Sequence, residues 1–154
     1  MKIKNFTQFI NEQQGLEPVG MLIDKIERLF NIRLKLCDSG HAGEDTFDGS
    51  PYDDYLDNLP AGTPIYVYSV STADNKPIIH KDSQEEWSAY VIYNQFCFVD
   101  DPMAVPLSLK NGVAEYGANV GTCMMSYNEL RKLGNIDIVN ILENIEGGMQ
   151  IPLK

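Results

Sequence analysis

Val19, Leu22, Ile23, Ile26, Leu29 and Phe30 recur at i, i+3, i+4 and i+7 without a break, which predicts a helix with one apolar face. Glu17 and Pro18 stand where a first helical turn favours an acid and a proline. The period then shortens. "NIRLKLC" alternates Ile32, Leu34 and Leu36 with Arg33 and Lys35, the two-residue repeat of a half-buried strand. From Asp38 to Pro60 the pattern stops, and "DSGHAGEDTFDGSPYDDYLDNLP" reads as a long surface excursion with one helical turn around Tyr52 to Leu59.

Alternation resumes in "PIYVYSVST" and "PIIHK", two strands around the turn-forming "ADNK", and in "WSAYVIYNQFCFVDD", two strands reversing near Asn94-Gln95. "VPLSLKNGVAEYGA" adds a hairpin, because Asn111 and Gly112 both tolerate the positive φ of a type I′ turn. Helical signals then return. Ser126 and Glu129 form an S-x-x-E capping box, Arg131 and Lys132 suit the last turn, and Gly134 can end it. A final helix is expected from Asp137, with Ile138, Ile141, Leu142 and Ile145 on one face, closed by Gly147-Gly148 before a short "MQIPLK" tail. The pattern predicts an α+β fold: an antiparallel sheet of about five or six strands, meander plus hairpin, packed with N-terminal and C-terminal helices. No internal repeat or linker divides the chain.

Composition narrows the function classes. With 154 residues, 44% of them hydrophobic, the chain suits one domain with a core of its own. No apolar run approaches the roughly 18 residues of a membrane span, and no signal-peptide pattern opens the chain, so a soluble protein with no membrane partner is expected. The formal net charge of -10 argues against nucleic acid as a partner, since phosphate backbones are held by clustered Lys and Arg. Cys37, Cys97 and Cys123 are widely spaced and odd in number, with no C-x-x-C, and read as reduced core cysteines of an intracellular protein.

The candidate chemistry is sparse. Asp38, Glu44, Asp45, Asp48, Asp53, Asp54 and Asp57 place seven carboxylates in twenty residues with no Lys or Arg among them. The D-x-[DN]-x-[DN]-G ladder of a calcium loop is missing, so no metal or other cofactor is assigned. The stretch is either a solvated surface or one that meets a basic partner. His41 follows Cys37 by four residues, but a Cys–His dyad needs hydrogen-bond reach and a third orienting group, and His80 only ends a short strand. No catalytic residue is therefore assigned. "SVSTAD" carries the Ser-Thr pair of mono-ADP-ribosyltransferase sites, and Arg33 could supply their upstream Arg. Their downstream E-x-E has no counterpart here, where Glu85-Glu86 and Glu115 come nearest. "GVAEYGANVGTC" lacks the setting of a phosphate loop, and Tyr52, Tyr55, Tyr66, Tyr68, Tyr90 and Tyr93 are candidates for a recognition face.

The first residues, "MKIKNFTQFINE", form a short amphipathic segment, with Ile3, Phe6, Phe9 and Ile10 on one side and Lys2, Lys4, Asn5 and Gln8 largely opposite. A helix this short must dock onto something to persist. The stretch resembles the N-terminal targeting sequences of internal head proteins of T-even-type tailed phages. Those start Met-Lys, continue through an aromatic-containing amphipathic segment, and end in a hydrophobic residue, any residue and Glu, where the prohead protease cuts. Met1, Lys2, Phe6, Phe9 and the tripeptide Ile10-Asn11-Glu12 carry the resemblance. It spans residues 1–12, and the family's internal proteins are often small and basic where this chain is acidic.

The resemblance implies a bacteriophage virion protein of the capsid interior, non-enzymatic, located in the phage head or, once delivered, in the host cytoplasm. Residues 1–12 would be the head-targeting segment, with Phe6, Phe9, Ile10, Asn11 and Glu12 as its targeting and cleavage residues, and 13–154 a single globular α+β domain. Its partners would be phage head components. A second reading is an anti-defence or host-takeover binder whose acidic loop occupies a host protein with a basic surface. A third is a small metal-dependent hydrolase or transferase built on the Asp38–Asp57 stretch with His41.

Overall fold

The computed structural model describes residues 20–42, 58–100, 105–117 and 120–153. Helix α1 (20–30) turns Leu22, Ile23, Ile26 and Phe30 inward and leaves Met21, Asp24, Lys25 and Arg28 exposed, as its 3.6-residue period requires. Asn31 at φ 56° ends it in the left-handed conformation that asparagine tolerates, and the chain enters the sheet at once.

The strands are β1 (Ile32–His41), β2 (Pro64–Thr72), β3 (Trp87–Ile92), β4 (Gln95–Asp100), β5 (Val105–Ser108) and β6 (Val113–Tyr116). After helix α2 (Val120–Cys123) come β7 (Met125–Ser126), α3 (Tyr127–Arg131), α4 (Ile138–Asn144) and β8 (Gln150–Pro152). The sheet is open, antiparallel throughout its ladders and ordered β1-β2-β3-β4-β5-β6-β8, with β7 paired beside β5 on β4.

β3 and β4 are buried at almost every position because both faces of the sheet are covered. Alternation assigns the side chains. Trp87, Ala89, Val91, Phe96 and Phe98 face the larger core with α1, Leu130 of α3 and the apolar side of α4. Tyr90, Ile92, Cys97 and Val99 face a smaller cluster with Ile65, Cys123 and Met124. Phe98 links sheet and helix, its ring 5.7 Å from that of Phe30 and 4.8 Å from that of Phe96.

The α+β expectation holds, with seven to eight strands where about five or six were expected. The added elements are the two-residue β7 and the three-residue β8, which pairs with β6 although "MQIPLK" reads as a tail. Strands this short carry no legible alternation. Asn111 and Gly112 take φ 61° and 76°, as a type I′ turn requires. The capping box is present: Glu129 N–H donates to Ser126 Oγ at 3.2 Å, and Ser126 N–H to Glu129 Oε1 at 2.9 Å. The Ser126 N–H on its carboxylate holds the Glu129 carboxyl below its ordinary pKa.

Two other expectations are corrected. "PIIHK" is not a ladder strand but joins its neighbours through isolated bridges, Ser71 to Pro77 and Ile79 to Glu86. The excursion expected from Asp38 begins later, because Asp38 to His41 continue β1 opposite Val67 to Pro64. A register shift between Leu36 and Asp38 lets β1 carry on through residues of low strand propensity.

Among the described residues β1 and β8 are the sheet edges, and the longer is blunted. Leu34 N–H donates to Glu27 Oε2 of α1 at 2.8 Å rather than to an incoming strand, Arg33 and Lys35 are exposed, and the bulge interrupts the outer ladder.

Candidate functional site

Asp100 ends β4 at an inward position, on the face of Phe96 and Phe98, and its side chain is fully buried. A carboxylate there needs donors on both oxygens. Ser83 Oγ–H donates to Oδ1 at 3.3 Å, and the Tyr116 hydroxyl of β6 donates to Oδ2. His80, 2% exposed, lies on the segment between β2 and β3 with Nδ1 at 3.8 Å from Asp100 Oδ2. Its ring packs 4.9 Å from that of Tyr116 and 5.9 Å from that of Trp87.

The opposite wall is the end of α4. A helix leaves its last carbonyls without intrahelical partners, and buried ones need donors from elsewhere. Three are supplied here: Trp87 Nε1–H donates to Leu142 O at 2.7 Å, Lys81 N–H to Glu143 O at 3.2 Å, and His80 Nε2 to Ile145 O. Outside, Lys81 Nζ pairs with Glu146 Oε1 at 3.0 Å.

A carbonyl only accepts, so the proton of His80 sits on Nε2 and Nδ1 is the acceptor, taking the Ser83 N–H at 3.2 Å. Ser83 Oγ in turn accepts Glu85 N–H at 3.1 Å. By residue type this is a Ser-His-Asp set. By connectivity it is not a catalytic one, since a triad aims Nε2 at the nucleophile and Nδ1 at the carboxylate. Here Nε2 is committed to a backbone carbonyl, in a place almost without solvent access. The arrangement pins the 80–87 segment, the ends of β4 and β6, and α4 to one another.

Sequence reading missed Ser83, Asp100 and Tyr116. One signal was available: in "QFCFVDD" the alternation that turns Phe96 and Phe98 inward also turns Asp100 inward, and an inward carboxylate implies donors around it.

The sequence-nominated residues are placed as follows. Asp38 is exposed on β1, its Oδ1 accepting Ser39 N–H at 2.8 Å. Glu44, Asp45, Asp48, Asp53, Asp54 and Asp57, the expected turn around Tyr52, and the targeting residues Phe6, Phe9, Ile10, Asn11 and Glu12 lie outside the described residues. What is described is the neck of the acidic stretch: Ala42 N–H donates to Thr63 O at 2.8 Å and Gly62 N–H to Ala42 O at 3.0 Å. Cys37 and His41 are separated by roughly 13 Å of strand, beyond the reach of a dyad. The Cys37 thiol donates to Val67 O at 3.4 Å.

Cys97 and Cys123 are not reduced core thiols but a disulfide, with Cα atoms 5.7 Å apart. α2 lays Cys123 against the face to which β4 turns Cys97. A separation of 26 residues gives no local spacing signal. Tyr52 and Tyr55 lie outside the described residues, and the other four candidate tyrosines do not share a face: Tyr66 and Tyr68 belong to the larger core, Tyr90 to the smaller cluster, and Tyr93 projects from the β3–β4 turn. Burial, with Tyr66 nearby, pushes the Tyr68 phenol up to about 12.

The register sets Arg33 directly opposite Ser71 of "SVSTAD". Glu115 of β6 cannot join them, because five strand spacings of roughly 4.8 Å intervene. Among the described residues no group of three His, Cys, Asp or Glu is arranged to hold a metal ion, and no helix is long and apolar enough to cross a membrane. Comparison of the chain with protein-family models, curated proteins and solved structures finds no match.

Proposed function

We propose that the chain is a non-enzymatic protein of a tailed-phage virion, carried into the head by residues 1–12 and separated from them after Glu12, with the domain from residue 13 acting in the head or in the host. The observation that carries this reading is the run Met1-Lys2, Phe6, Phe9 and Ile10-Asn11-Glu12, which has the composition and order of a head-targeting and cleavage sequence. The described fold offers one observation in its support. The His80 constellation, whose residue types come nearest to a hydrolytic set, is committed to holding α4.

On this reading, removal of residues 1–12 should cost little stability. In thermal unfolding, the protein lacking them is expected to melt within a few degrees of the full chain. A fall beyond roughly 10 °C, more than a couple of kcal/mol at this length, would mean that Phe6, Phe9 and Ile10 belong to the core.

The neck at Ala42 and Thr63 favours a second role that is compatible with the first. It brings together both ends of a segment whose sequence carries six carboxylates, Glu44, Asp45, Asp48, Asp53, Asp54 and Asp57. A segment so anchored can present negative charge to a host protein with a basic surface, and no cofactor enters this role. A partner captured at low ionic strength should be lost when the five aspartates become asparagine; retention would remove the segment from the contact.

A further inference from the structure

Beside β1 runs a groove of about 910 Å³ whose walls include Glu27, Arg33, Lys35, Ser71 and Asn75. Arg33 and Lys35 have the same parity, so both project from the face opposite Leu34, roughly 7 Å apart along the strand. Ser71 and Ser69 stand directly across from them on β2. Among the described residues neither cation is in an ion pair, on a chain with 22 acidic and 12 basic side chains. Glu27 stands on the same wall with its carboxylate engaged by Leu34 N–H, and the two cations outnumber it, so the groove carries a net positive formal charge.

The far wall is ordered by its own turn. Asn75 N–H donates to Thr72 O at 2.9 Å, Thr72 N–H to Lys76 O at 2.8 Å, and Lys76 N–H to Thr72 Oγ1 at 3.1 Å, fixing Asn75 at φ 68° beside the groove. Glu27 is held as well, by its bond to Leu34 N–H.

We propose that this groove binds a small phosphorylated ligand, with Arg33 and Lys35 taking the phosphate oxygens and Ser71 and Asn75 supplying neutral hydrogen bonds. Arg33 suits bidentate contact with a phosphate and Lys35 supplies a point charge. The groove volume is that of a small-molecule site. An added peptide strand fits poorly, since Glu27 occupies the outward N–H of Leu34 and the bulge after Leu36 breaks the ladder. A long polyanion fits poorly too, because the net charge of -10 repels it beyond the local cations.

The test is isothermal titration of the full chain with inorganic pyrophosphate and, separately, with ADP at low ionic strength. One saturable site is expected. R33Q and K35Q should each weaken binding about tenfold, and K132Q, an exposed cation elsewhere, should leave it unchanged. Both groove cations are exposed strand positions, so the variants keep the core, and far-UV circular dichroism checks this. Tighter binding of ADP than of pyrophosphate assigns the groove to a phosphate ester, and equal binding to the free diphosphate. Heats that do not saturate with either probe, or an equal loss in K132Q, overturn the proposal.

Discussion

Trp87→Ala is expected to destabilise the protein more than any other single change at the sheet–α4 junction, by about 4 kcal/mol. Two losses combine. The indole is fully buried in the larger core, with Tyr116 at 5.7 Å and His80 at 5.9 Å, so alanine leaves a large cavity. Its Nε1–H also caps the Leu142 carbonyl, which would be left buried and unpaired. For a chain of this length the melting midpoint should fall by about 10 °C or more. Trp87→Phe separates the two terms: it keeps most of the ring volume and loses the donor, so about 1–3 kcal/mol is expected. Urea unfolding of both variants against wild type gives the values. A phenylalanine variant as unstable as the alanine one would show that the bond to α4 dominates over packing.

Asp100→Ala should cost about 3 kcal/mol, although it removes a small side chain. The Tyr116 and Ser83 hydroxyls both donate to the carboxylate, and the substitution leaves both donors in a buried place without an acceptor. Asp100→Asn should cost less than Asp100→Ala, because the amide oxygen still accepts from one hydroxyl and the amide N–H can donate to the other's oxygen. Tyr116→Phe alone should cost less, and the double change less than the sum, with a coupling of about 1 kcal/mol. Additive effects within about 0.3 kcal/mol would mean that the Tyr116–Asp100 bond contributes nothing to stability.

Those two residues also mark where sequence reading stops. The inner face of α1, the capping box at Ser126 and the Asn111-Gly112 turn were legible because each is decided by neighbours within a few positions. The central strands were legible because their apolar runs leave little choice. The Cys97–Cys123 bridge, the pairing of β8 with β6, and the meeting of His80, Asp100 and Tyr116 each depend on how distant segments are brought together. Asp38 to His41 show a third case, in which tertiary pairing overrides propensity: Asp, Ser, Gly and His read as loop, yet β2 offers a partner strand and a bulge absorbs the misfit. Of the acidic-stretch and targeting residues only Asp38 lies in the described fold, on an exposed strand position rather than in a loop.

On the proposed function, residues 1–12 are an address removed inside a phage head. Mass spectrometry of purified virions decides the matter. The expected packaged form begins at Gln13, with no peptide retaining Phe6, Phe9 or Ile10. Virions without this protein, or with a form that still begins at Met1, would contradict it.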